Sequence, residues 1–169
     1  MTRPVISIRK ATFADIPALE TLINAAFKLE AFFVSGNRID APTLQLEMKK
    51  GQFLMAETNQ ALLGCVYLEL ENKSGYFGML SVDPLKQGSG IGRLLIQTAE
   101  GLASAHGCTQ MIIRIVNLRE ELPAFYRKLG YSLTGETAPF PREIVIDRPC
   151  YFVGMSKPLS AAVNTEISK

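Results

Sequence analysis

Apolar and polar residues alternate over residues 5–10 (VISIRK), the period of a half-buried strand. After Thr12, Phe13, Ala14 and Asp15 the period changes, and Ile16, Leu19, Leu22, Ile23, Ala26 and Phe27 recur at three- and four-residue steps, which predicts an amphipathic helix. Residues 28–42 carry Gly36, Asn37 and Pro42 and no clear period, so they predict a mobile cover over a site. TLQLEMKK then predicts a short helix stopped by Gly51. Strand patterns follow at 53–57, 61–70 and 76–84, separated by turn residues around Asn59 and Gln60 and at 72–75 (NKSG), which predicts an antiparallel meander.

Beyond Pro84, LKQGSGIGR leads into a helix predicted over 91–105, with Ile91, Leu94, Leu95, Thr98, Leu102 and Ala105 as its apolar side. MIIRIV at 111–116 is β-branched and nearly all apolar, as an interior strand buried on both faces would be. A short helix over 122–129, with Leu122, Phe125 and Leu129 as its apolar face, ends at Gly130. Closing strands are predicted at 131–136 and 150–157. No repeat or linker interrupts the pattern, so one domain is expected over 1–158 and a frayed tail over 159–169.

Composition narrows the function classes. A chain of 169 residues with 47% apolar and 20% charged residues fits one soluble globular domain. Its 18 basic and 16 acidic residues are spread evenly, which disfavours nucleic acid or a membrane as partner. Cys65, Cys108 and Cys150 have the wrong spacing for a zinc site and only His106 could join them, so no metal is expected. The first residues, MTRPVISIRKATFADIP, reach charge before any long apolar run, which predicts a cytoplasmic protein with reduced thiols.

The chemistry concentrates in Gln87-Gly88-Ser89-Gly90-Ile91-Gly92-Arg93. Alternating glycines before an amphipathic helix let the backbone approach a ligand closely, and the free amides of a helix N-terminus carry roughly half a positive charge. Such a turn suits a phosphate. The spacing fits neither the P-loop, since no Lys-Ser or Lys-Thr follows, nor the dinucleotide fingerprint, since Arg93 stands at its third glycine. Taken alone, the turn also reads as tight helix-to-sheet packing.

Gln87-x-x-Gly90-x-Gly92, following Ser81-Val82-Asp83-Pro84, resembles the acetyl-CoA motif of the GNAT superfamily of N-acetyltransferases. A second block, Ile115-Val116-Asn117 and then Pro123 to Tyr131 (PAFYRKLGY), resembles that family's pantetheine and leaving-group segment. The resemblance spans nearly the whole chain. It implies an α+β, three-layer fold: a mixed, mostly antiparallel sheet of six to seven strands flanked by helices and splayed between strands four and five. It further implies that Leu80, Ser81 and Val82 offer backbone groups to the pantetheine, that Gln87, Gly88, Ser89, Gly90, Ile91, Gly92 and Arg93 hold the pyrophosphate, and that Asn117 bonds the pantetheine.

Acetyl transfer from acetyl-CoA to an amine needs a neutral amine, a polarised thioester carbonyl and stabilisation of the departing thiolate. An amine with a pKa of ~10.4 is neutral only about once in 10³ at pH 7, so its proton must be removed. By the same resemblance Tyr126 is the catalytic tyrosine at the CoA sulfur, and the backbone amide of Val82 polarises the carbonyl. Without the resemblance, Tyr126 reads as an aromatic completing the core. Many relatives carry a glutamate at the start of the fourth strand where this chain has Tyr76; Glu69, Glu71, Asp83 or relayed water stand as alternatives for the base. Cys150 reads as a small buried hydrophobe.

The acceptor is expected between residues 28–42, with Phe32, Phe33, Arg38 and Asp40, and the loop from 137 to 149, with Phe140, Arg142 and Arg148. These groups suit a small amine with apolar and anionic parts. A peptide amine, a longer acyl chain and a homodimer stay open. A sensor that binds acyl-CoA without turnover is the competing function, and a nucleotide-binding domain of dinucleotide type is disfavoured by the glycine spacing.

Overall fold

The computed structural model describes residues 2–160. Seven strands form one sheet: β1 (Ser7–Lys10), β2 (Gln52–Glu57), β3 (Leu62–Glu71), β4 (Ser74–Val82), β5 (Gln110–Val116), β6 (Ser132–Pro139) and β7 (Tyr151–Pro158). They lie in the order β1-β2-β3-β4-β5-β7-β6, with every neighbouring pair antiparallel except β4 and β5. The helices are α1 (Ile16–Ala26), α2 (Ala41–Lys50), α3 (Ile91–Ala105) and α4 (Leu122–Lys128). This is the mixed α+β sheet that the resemblance implies. The expected tail falls mostly on residues 161–169, outside the described residues.

Two apolar layers sandwich the sheet. On one face α1 and α2 cover Phe53, Met55, Cys65 and Tyr67 with Leu19, Ile23 and Leu44. On the other, α3 packs Ile91, Leu95, Ile96, Ala99 and Ala103 against Leu54, Val66, Phe77, Met111 and Ile113. The buried stripe of α3 is thus rotated from the expected one: Leu94 and Leu102 are exposed, and Ala99 and Ala103 take their place. The sheet comes too close for larger residues. A Cβ at Gly64 would lie 3.0 Å from both Ile91 Cγ2 and Leu95 Cδ1 and 2.9 Å from the Ser81 carbonyl. α4 is rotated likewise, with Tyr126 buried and Phe125 43% exposed.

The element that positions the site is β4. Its register against β3 slips between the Cys65–Ser81 and Tyr67–Gly78 pairs, leaving Met79 and Leu80 opposite Val66. This is a bulge, and Met79 absorbs it in the left-handed region at φ 50°. The Ser81 hydroxyl, itself buried, donates to the Met79 carbonyl at 3.0 Å. Pairing of β4 with β5 covers only Ser74–Gln110, Gly75–Met111 and Tyr76–Ile112, after which the strands part. Because of that divergence the second face of β5 is only partly covered: Met111, Ile113 and Ile115 enter the core on one side, whereas on the other Arg114 is exposed and Val116 is buried only at the strand's end, against the expectation of burial on both sides.

Residues 28–42 form a fastened wall rather than a loose cover. Phe33 and Val34 are buried with Val116, and Val34 bridges Ile144. The Asn24 amide clamps the Ile39 backbone at both N–H and C=O, each at 3.0 Å.

Candidate functional site

Where β4 and β5 part, a cavity of about 540 Å³ opens between the first turn of α3, α4, the end of α1 and the 28–42 segment. Its lining includes Leu80, Val82, Gln87, Gly88, Gly90, Ile91, Gly92, Arg93 and Tyr126, nine of the residues singled out by the sequence. Three others lie elsewhere. The Ser89 hydroxyl donates to the Lys86 carbonyl, and Ser81 serves the bulge. The Asn117 side chain, expected on the pantetheine, instead staples the loop ahead of β7, donating to the Pro149 carbonyl at 3.0 Å and accepting from the Tyr151 amide at 2.8 Å.

Sequence dictates the glycine turn directly. Gly88 and Gly90 have φ of +78° and +87°, a region that side-chain-bearing residues rarely adopt, and Gly90 is the N-cap of α3. The first bond in the helix runs from the Leu94 amide to the Gly90 carbonyl, so the amides of Ile91, Gly92 and Arg93 have no partner within the helix. A Cβ at Gly92 would lie 3.6 Å from Val82 Cγ2, which sets this first turn beside the end of β4. There the Asp83 amide bonds the Leu63 carbonyl on β3 at 2.8 Å, so alternation along the strand turns the Val82 amide to the opposite edge, where β5 no longer pairs. Anion-binding amides and an unpaired strand edge thus share one wall. A long ligand with a phosphate end and a peptide-like arm fits both.

Tyr126 forms part of the facing wall. It is 7% exposed and its ring packs on Phe125, Tyr131 and Phe77 with centroids at 5.0, 5.8 and 6.1 Å, yet its hydroxyl bonds no protein group among the described residues. Burial pushes its phenol up to about 12, with the Arg119 guanidinium opposing. At neutral pH it is therefore a proton-bearing donor facing a cavity.

None of the carboxylates expected as base reaches the lining. Glu69 accepts from the Tyr67 hydroxyl at 2.8 Å, Asp83 caps the following turn through the Leu85 amide at 3.0 Å, and Glu71 ends β3 in the hairpin. The cavity holds Glu30 instead, only 5% exposed, with Arg119 Nη1 at 3.6 Å from its Oε1. Burial raises the Glu30 carboxyl above the usual carboxylate range, and Arg119, Arg38 and Arg142 pull it back. The signal was present in the sequence: Glu30 extends the stripe Leu19-Ile23-Phe27 by one more step, a carboxylate where the period calls for an apolar residue. Tyr76, at the position where the resemblance expects a glutamate, also lines the cavity, and burial raises its phenol against Arg114 and Arg38.

Of the groups expected at the acceptor, Arg38 and Phe140 line the cavity. Phe33 is core, and Phe32 is 49% exposed. Asp40 caps α2 through the Thr43 amide, Arg148 is exposed, and Arg142 donates to the carbonyls of Ser35, Gly36 and Asn37. Cys150 packs beside Phe33, Val34 and Val116, off the cavity. No described helix is long and apolar enough to cross a membrane.

Residues 49–133 match the model of the Acetyltransferase (GNAT) domain. The chain is 26% identical over 103 residues to an IAA acetyltransferase of Azospirillum brasilense, covering 58% of this chain and 67% of that one. Its fold is that of the ribosomal-protein-S18-alanine N-acetyltransferase of Escherichia coli, with a TM-score of 0.74 at 16% identity over 95% and 98% of the two chains. A putative acetyltransferase from Salmonella typhimurium, solved with its cofactor acetyl-CoA, superposes with a TM-score of 0.70 at 19% identity over 96% and 99%.

Proposed function

The chain belongs to the GNAT acetyltransferase family, and we propose that it transfers an acetyl group from acetyl-CoA to a primary amine of a small acceptor by direct attack in a ternary complex. The observation that carries this is the single cavity in which the glycine turn, the parted edge of β4, Tyr126 and Glu30 meet.

Gly88, Gly90 and the first amides of α3 receive the pyrophosphate, with Arg93 adding charge beside them. Leu80 and Val82 offer the open β4 edge to the pantetheine arm, and the Val82 amide donates to the thioester oxygen as negative charge develops on it. Glu30 takes the proton of the attacking amine, directly or through one water. The amine nitrogen bonds the carbonyl carbon, the carbon–sulfur bond breaks, and the Tyr126 hydroxyl donates a hydrogen bond to the departing thiolate. The products are the N-acetyl compound and CoA: of the two protons an ammonium substrate loses, one leaves to solvent through Glu30 and the other reprotonates the thiolate by way of water.

The test is thiol release from acetyl-CoA across a panel of amines, amino acids and peptides, with CoA binding followed by calorimetry in parallel. Acceptor-dependent release is expected. Tight CoA binding with no release over the whole panel would replace the transferase by a binding module of the same fold.

A further inference from the structure

At the acceptor end of the cavity charge is out of balance. Arg38, Arg114 and Arg119 line it against two carboxylates, the buried Glu30 and the exposed Glu121. Arg119 is already engaged, at 3.6 Å from Glu30 and 2.6 Å from Glu121. Arg38 and Arg114 form no ion pair and no hydrogen bond with any protein group among the described residues. Guanidinium groups on a cavity wall with unused donors require an anion or bound water to satisfy them.

Arg38 is also held in place. The Asn24 amide fixes the backbone of Ile39 on one side, and Arg142 ties down the carbonyls of Ser35, Gly36 and Asn37 on the other. Its guanidinium lies 5.4 Å from the centroid of the Phe27 ring, a cation–π placement that restricts it further. Arg114 projects from β5 two residues beyond the last pair with β4, where the strands have parted. A side chain as costly to order as that of Arg38 is seldom immobilised without a ligand to meet it.

We infer that the acceptor is a free α-amino acid with an apolar side chain, its carboxylate held by Arg38 and Arg114 and its amine placed toward Glu30. This rests on the transferase reading above. A zwitterion matches two unpartnered guanidiniums beside the buried Glu30 carboxylate, whereas a simple amine would leave both arginines facing it unneutralised. Phe27, Met79, Phe140 and Phe152 supply apolar wall for the side chain. Because the cavity of about 540 Å³ must also take the thioester end of acetyl-CoA, the acceptor is small.

The experiment compares matched acceptors: L-methionine and L-phenylalanine, their carboxamides, and the decarboxylated amines, in thiol release at saturating acetyl-CoA. The free acids should exceed the amides in kcat/KM by roughly ten- to a hundredfold, the range for hydrogen bonds to a charged group. Arg38→Met and Arg114→Met should each collapse that preference by raising KM for the acid, and Arg38→Lys should restore it only in part, because an ammonium cannot form the two-pronged contact. Thermal unfolding and CoA calorimetry confirm that each variant is folded. Binding of N-acetyl-L-methionine measured by calorimetry asks the same question without turnover, and should weaken about tenfold in Arg38→Met.

Amides, decarboxylated amines or a peptide N-terminus turned over as well as the free acids would overturn the carboxylate subsite while leaving the transferase intact. Unchanged preference in both arginine variants would do the same. Arg38-dependent binding of N-acetyl-L-methionine without turnover of any amine would keep the subsite and remove the transferase.

Discussion

Replacing Tyr126 by phenylalanine removes one oxygen from the cavity wall, and the structure sets how much that oxygen contributes. Burial holds the phenol at about 12, whereas the CoA thiol titrates near ~8.5 by analogy with cysteine. Full proton transfer to the thiolate is therefore uphill by about 3.5 pH units, or ~5 kcal/mol. The hydroxyl instead acts as a hydrogen-bond donor to sulfur as charge accumulates there, an interaction of about 1.5–3 kcal/mol for a charged partner. Tyr126→Phe should lower kcat roughly ten- to 150-fold. CoA affinity should hold, because the aromatic contacts to Phe125, Tyr131 and Phe77 survive and no hydrogen bond within the protein is lost. The assay is thiol release at saturating acetyl-CoA with CoA calorimetry beside it. A phenol raised this far does not titrate in the working range, so the loss should be the same factor at all pH values between about 6 and 9. A kcat within twofold of the parent would return Tyr126 to the core, and a loss confined to KM for acetyl-CoA would make it a binding residue.

Glu30→Gln should lower kcat/KM by about 10²-fold or more. A base acts in its deprotonated form and burial raises this one, so the parent kcat should climb with pH along a limb above the ordinary carboxylate range; persistence of that limb in the glutamine variant would clear Glu30. Gly90→Asp places a carboxylate where a Cβ meets nothing within 4 Å, so the chain should fold at a backbone cost of about 1–2 kcal/mol for a left-handed residue while CoA affinity falls at least tenfold through repulsion of the pyrophosphate. Gly90→Ala separates backbone strain from charge, and equal affinities in the two variants would place the phosphate elsewhere. Leu95→Ala should destabilise by about 2–5 kcal/mol and Leu94→Ala by under about 1, since Leu95 is fully buried and Leu94 is 37% exposed; equal shifts in denaturant midpoint would contradict the rotated face of α3.

The strands and helices of this chain were legible because each carries its own pattern and its own stop: the alternation over residues 5–10, the apolar runs of β2 and β3, the glycines that open α3 and the one that follows α4. What periodicity misjudged was which side of a helix the sheet would take. In α3 the large residues Leu94 and Leu102 mark one stripe and the small residues Ala99 and Ala103 extend another, and the sheet took the second, where a Cβ at Gly75 of β4 would lie 3.0 Å from the Ala103 Cβ. That choice depends on the height of the helix above the sheet, a quantity set by residues far away in sequence. Tyr126 and Phe125 exchanged places for the same kind of reason, Tyr126 being drawn between Phe77 and Tyr131.

The cofactor half of the site was local in the chain and hence visible, since a glycine turn before a helix announces its backbone in consecutive letters. The acceptor half is assembled from four separate places: Glu30 after α1, Arg38 ahead of α2, Arg114 on β5 and Arg119 beyond it. No spacing rule joins them, because what brings them together is the parting of β4 from β5 after Tyr76 and Ile112. Glu30 shows only as a break in an apolar stripe and Arg38 only as one charge in an aperiodic segment, while Arg114 and Arg119 read as ordinary surface charges. Their meaning comes from the imbalance between two guanidiniums without partners and two carboxylates that both engage Arg119. That imbalance is a property of the cavity, and it ties selectivity to the same opening that exposes the Val82 amide. A substitution that closed β4 back onto β5 would therefore remove the oxyanion donor and the carboxylate subsite together, so binding of N-acetyl-L-methionine and turnover should fail in parallel in any variant that straightens the bulge at Met79.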